Sequence, residues 1–220
     1  MITAPQRSLR PYTPPRQAKT MTSTARKAPW ILARSAQVAI AGAAAADAFR
    51  GAAVRDHYLH PTDASLRKSG FTSMIFGYLM TLAIVLFLVW LARSRHNAQE
   101  LSPQASLPSR GWTIGAWFIP LVNLVIPRRF VLDIGRASST SWEQKRDTTL
   151  VNLWWVAWIT HTLVLVAAGR MAPGSVPLLV VAEALMIAAA VLMGLVIERI
   201  TALQSSALGA TAPVAPLARA

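Results

Sequence analysis

FTSMIFGYLMTLAIVLFLVWLA, residues 71–92, is the stretch on which the fold turns. It carries no charge and shows no polar face. At about 1.5 Å per residue it reaches about 33 Å, enough to cross a hydrocarbon core about 30 Å thick. Arg93 and Arg95 follow at once, which favours a cytoplasmic exit and complements the negative end of the helix dipole. Trp90 stands where an interfacial anchor is expected. Arg95, His96 and Asn97 read as a helix terminus, with cations beside orphan carbonyls and an Asn able to take the left-handed cap. The alternative is a lipid-headgroup or partner site at Arg95 and Asn97.

The composition agrees with a lipid environment. Hydrophobic residues make up 54% of the 220 and charged ones 14%, and the apolar residues lie in long blocks. Residues 150–169 and 177–197 form two more spans, joined by the tight turn from Arg170 to Val176, and so predict an antiparallel hairpin. A further span at residues 30–50 is weaker, built largely from Ala and carrying Arg34, Gln37 and Asp47. Ala39, Gly42, Ala43 and Ala46 make it a packing helix, because small residues let a neighbouring backbone approach where lipid removes the hydrophobic drive. Arg34 can snorkel back to the headgroups, and Asp47 and Arg50 can pair on one face. Residues 51–70 read as an exposed connector.

The net charge of +13 would suggest nucleic acid in a soluble protein. Here the basic residues crowd beside apolar blocks, so the expected partner is a bilayer with anionic headgroups, with a protein partner or a second copy also open. Cysteine is absent, which excludes disulfides, thiolate nucleophiles and cysteine metal sites. No metal or other cofactor is expected. Residues 1–29 are polar, basic and Pro-rich and predict a disordered cytoplasmic tail, and residues 200–220 predict a second one. No signal peptide is expected, because the first apolar run begins only at Trp30.

Residues 111–127, GWTIGAWFIPLVNLVIP, are apolar but interrupted. Fully helical they would reach only about 25 Å, and Pro120 removes a backbone donor and obstructs the carbonyl four residues earlier. A break near Ala116 to Pro120 is therefore expected. Either the segment is re-entrant, entering and leaving on one face, or it is a fifth crossing. Re-entrance places outside only Arg50, Arg55, Arg67, Lys68 and Arg170, whereas a full crossing divides the cations about evenly. The positive-inside rule selects re-entrance, four transmembrane helices and both termini in the cytoplasm. After Pro127, Phe130, Val131 and Ile134 share a face opposed to Arg129, Asp133 and Arg136, which reads as an interfacial amphipathic helix over residues 128–140.

The order WLARSRHN at 90–97, the interrupted segment, RRFVLDIGRAS at 128–138 and the pair Trp154-Trp155 together resemble the bacterial membrane family known as domain of unknown function 4328. The likeness as a layout runs from Trp30 to Arg199, and its strongest part from Trp90 to Trp155. It implies a multi-pass, all-α membrane protein and no particular activity. Gly135 departs from the family pattern, which calls for Trp there.

Candidate functional residues follow from polarity in odd places. His161 and Glu183 each sit inside an apolar helix at similar distances from Pro173, so a hairpin should bring them level. Such a pair could relay a proton or bind a cation, or could simply fix the register of the bundle. Asp47 falls near the same level if the first span packs on the hairpin. Asn123, between Pro120 and Pro127, resembles the unwound backbone with which transporters coordinate ions, or else caps its own turn. Trp112 and Trp117 share this stretch with Gly111 and Gly115, whose spacing suits close packing rather than a nucleotide loop. Hydrolase and nucleotide motifs are missing from the sequence, so no enzyme is expected. Two functions remain: a scaffold or regulatory bundle, or a permeation protein for a small cation or proton.

Overall fold

The computed structural model describes residues 28–172 and 174–210, and they form an all-α bundle. Six α-helices follow in order: α1 (Trp30–Leu59), α2 (Asp63–Leu101), α3 (Arg110–Gly115), α4 (Ile126–Ser138), α5 (Gln144–Met171) and α6 (Val176–Ala210), with a 3-10 turn, Val122–Leu124, before α4. α1 pairs with α2 and also packs on α6, while α5 pairs with α6; α4 lies across α2, α5 and α6. Arg55 Nε donates to Gly174 O at 3.2 Å, so the α1–α2 and α5–α6 turns share one end of the molecule, and α4 lies toward the other.

Among the described residues, α2, α5 and α6 are long and apolar enough to cross a membrane. The chain is a multi-pass membrane protein. α1 has the length, 30 residues, but it is rich in Ala and charged residues and is not among those three. Its buried stripe includes Ala33, Ala36, Ala39, Ala43 and Ala46, the small side chains on which close helix approach depends. Apolar side chains on the outer faces of the crossing helices, such as Tyr78, Val85, Leu163 and Val180, are exposed on the bundle surface where lipid would meet them.

Several sequence expectations are corrected. Residues 51–70, read as an exposed connector, are largely exposed but helical: α1 runs on to Leu59 and α2 starts at Asp63. The turn is short because Thr62 and Ser65 form a reciprocal capping box, Thr62 Oγ1 accepting from Ser65 N at 3.1 Å and Ser65 Oγ accepting from Thr62 N at 3.0 Å. Residues 200–210 are not a disordered tail, since α6 continues through them and buries Ile200, Thr201, Leu203 and Gln204. The expected tails at 1–27 and 211–220 lie outside the described residues.

Helix length explains why the core lies where it does. At about 1.5 Å per residue α2 and α6 reach about 58 Å and about 52 Å, well beyond a hydrocarbon core. Their overshoot at the α4 end builds a second environment in which polar side chains are buried by protein. Trp90, Leu91, Val131, Ile134, Ile197 and Ile200 form its core, all essentially inaccessible. Trp90 is therefore no interfacial anchor; it is fully buried and donates Nε1–H to Thr201 Oγ1 at 3.1 Å. Trp154 and Trp155 are likewise buried, packed edge to face at 5.1 Å.

Candidate functional site

Toward the turn end, α1, α5 and α6 converge on four ionisable side chains. Asp47 is completely buried, and Arg50, one turn on, donates Nε–H to its Oδ1 at 2.8 Å. The guanidinium also lies over the Phe76 ring of α2, 4.7 Å from its centroid. The i,i+3 pair expected from the sequence is thus present. From α5, His161 Nδ1–H donates to Ala182 O at 2.8 Å, and its Nε2 faces Asp47 Oδ2 at 3.7 Å. Asp47 Oδ2 has no hydrogen-bond partner. Trp158, one turn before, stacks on the imidazole with ring centroids 6.2 Å apart.

His161 is level with the Ala182–Glu183 step, as the hairpin register predicts, but its ring turns to a carbonyl and to Asp47 instead of to Glu183. Both Glu183 carboxyl oxygens are buried without a hydrogen-bond partner. They reach this position because Gly51 lacks a side chain: a Cβ there would stand 2.7 Å from Glu183 Oε1. Above Glu183 a cleft of about 320 Å³ rises toward the α5–α6 turn, with Arg50, Arg55, Tyr58, Gly174 and Ser175 in its walls. Below the cluster, one turn deeper on each helix, lies an apolar cavity of about 100 Å³ lined by Ile40, Ala43, Ala83, Phe87, Trp117 and Met186, among others.

Trp117 belongs to the proline-interrupted segment. α3 ends at Gly115 and the chain turns through Ala116 to Leu121, so the expected break is present, with Pro120 exposed within it. Trp117 packs edge to face on Phe87 at 5.1 Å and on Trp155 at 6.3 Å, and the segment's end is tied to α5 by Trp155 Nε1–H donating to Leu124 O at 3.1 Å. Asn123 does not cap its own turn, for its Oδ1 is buried without a partner. Trp112 is partly exposed, at 43%. Gly111 and Gly115 make no close helix contact, since a Cβ at either would meet open space. Pro127 is in the first turn of α4, where its missing N–H costs no helix hydrogen bond.

The chain just before this segment and the end of α4 after it both lie against the C-terminal end of α2. Arg95 Nε donates to Pro108 O at 2.7 Å, and Ser102 Oγ to Ala137 O at 2.9 Å. α2 runs on to Leu101, so Arg95 and Asn97 do not terminate it. Asn97 is buried and donates Nδ2–H to Gln204 Oε1 at 3.2 Å, while Gln204 Nε2 donates to Ser94 O at 2.8 Å and Ser138 Oγ at 2.9 Å. Asp133 stands on α4, 3.6 Å from Arg136 Nη1. The sites proposed from the sequence therefore divide between two ends: His161, Glu183 and Asp47 at one, and Arg95, Asn97 and Asp133 at the other.

Sequence reasoning missed Gln204, read as tail, and the pair of buried Asp147 with half-buried Arg199, in which Arg199 Nη2 donates to Asp147 Oδ2 at 3.0 Å. The signal for that pair was present, because Asp147 and Arg199 stand equally far along the chain from Pro173, the same register argument that levels His161 with Glu183.

The family model described as Domain of unknown function (DUF4328) matches residues 55–202, and the chain belongs to that family. No curated protein and no solved structure matches the chain.

Proposed function

We propose that this family member is a non-enzymatic regulatory or scaffold bundle with four membrane spans, α1 included, and a re-entrant segment between α2 and α4. Both termini and the arginine-rich α4 then lie in the cytoplasm, against anionic headgroups. The return of Pro108 and Ala137 to the same end of α2 supports re-entrance. One observation carries the non-conducting part of the reading: the apolar cavity and the aromatic side chains of Phe87, Trp117 and Trp154 stand between the charged cluster at the turn end and the hydrogen-bonded end around Gln204. An ion in that layer would lose its hydration without a replacement ligand.

The cleft that reaches Glu183 favours the second reading, permeation of a proton or small cation. Reconstitution separates the two. Purified protein in liposomes under a pH gradient is expected to dissipate it no faster than protein-free liposomes. Flux that Glu183→Gln abolishes, in protein that still folds, would establish permeation instead.

A further inference from the structure

We propose that Asp47 and His161 form a proton-binding site, reached from the α5–α6 turn through the cleft above Glu183, and that the bound proton fastens α1 to α5. It rests on the reading of the bundle as non-conducting only in treating the site as a terminus instead of a step in a conduit.

A backbone carbonyl can only accept, so the 2.8 Å contact of His161 Nδ1 with Ala182 O requires the ring hydrogen to be on Nδ1. In a neutral ring Nε2 is then a bare lone pair, and it faces Asp47 Oδ2 across 3.7 Å. Oδ2 is buried with no other donor, because Arg50 directs both its contacts to Oδ1. Two acceptors therefore oppose one another in a site closed to water on the deeper side by apolar residues. A single proton converts that opposition into a charge-assisted hydrogen bond between α1 and α5.

The groups facing the site come from each packed element: Asp47 and Arg50 from α1, Glu183 from α6, the Trp158 ring from α5, and the Phe76 ring of α2 behind Arg50. Glu183 lies against Gly51, one turn of α1 nearer the cleft than Asp47, and so marks the route by which a proton arrives. Besides Glu183 the cleft walls carry Arg50, Arg55 and Tyr58 and no second carboxylate, and among the described residues no set of three or more acidic or histidine side chains is placed to hold a metal ion, so the approach suits a proton.

Nitrogen-15 NMR of histidine-labelled protein in liposomes reads the ring directly, with His161 assigned by replacing His57, His60 and His96 one at a time. His161 is expected to carry its hydrogen on Nδ1 when neutral and to become the doubly protonated ring on acidification. In the charged ring the Nε2 resonance is expected to carry the shift of a hydrogen bond to a carboxylate, and Asp47→Asn is expected to remove that shift. A neutral ring with its hydrogen on Nε2, or a ring that stays neutral from about pH 9 to about pH 4, would overturn the proposal. The two readings fail separately. Proton flux through a protein whose His161 titrates as described would sink the non-conducting function and leave this site standing.

Discussion

Asp133 shows how local burial sets chemistry on the amphipathic helix. Desolvation raises its carboxyl above the ordinary value of 3.8, and the guanidinium groups of Arg136 and Arg129 only partly pull it back. The native protein thus holds that proton more tightly than the unfolded chain. Its contribution to stability is complete below the ordinary value and is lost as pH rises through the raised one. Thermal unfolding in detergent over that acidic range should therefore show a component, under about 1 kcal/mol because the pair is partly exposed, that Asp133→Asn removes. An unchanged pH dependence in the variant would refute the assignment. Gly135, two residues on and on the buried side, has no room for a Cβ beneath the ring of Trp142, which comes from the α4–α5 linker. At this scale much of the cluster was legible. The i,i+3 spacing of Asp47 and Arg50 and the hairpin register of His161 both read directly from residue numbers. The turn of His161 toward Asp47 did not, because it depends on which face α1 presents to α5 and α6.

At the scale of helices, the sequence located every long element and misjudged their ends. Hydropathy marks where a helix leaves lipid, whereas α2 and α6 continue because their overshoots pack on α4 and on each other. Gln204 records this packing. Its amide makes hydrogen bonds to Ser94 O, Ser138 Oγ and Asn97, and so joins α2, α4 and α6 in one place. Gln204→Leu should strand buried polar groups on two neighbouring helices and destabilise the bundle by about 2–3 kcal/mol. A chemical-denaturation midpoint in detergent equal to that of the unsubstituted protein would show that the junction carries no such weight. The connector at 51–70 was misread for a similar reason: its polar residues suggested a loop, yet Thr62 with Ser65 stops and restarts helix within a few residues.

For the whole molecule, the apolar blocks and flanking arginines made the membrane architecture legible, and the family resemblance held over residues 55–202. The inner arrangement was less so. Polar groups concentrate at the two ends of the bundle, and an apolar, Trp-rich middle separates them, a division that no single segment of sequence announces. The path of residues 108–138 decides which solvent each end meets, and through it the placement of the proton site, the basic helix and the termini. Because the chain has no cysteine, single cysteines at exposed Ser109, Ser141 and Met171 can be labelled without background in intact cells. An impermeant maleimide is expected to reach Met171→Cys from outside and to reach Ser109→Cys and Ser141→Cys only after the membrane is opened. Labelling of Ser109→Cys and Ser141→Cys from opposite sides would contradict re-entrance.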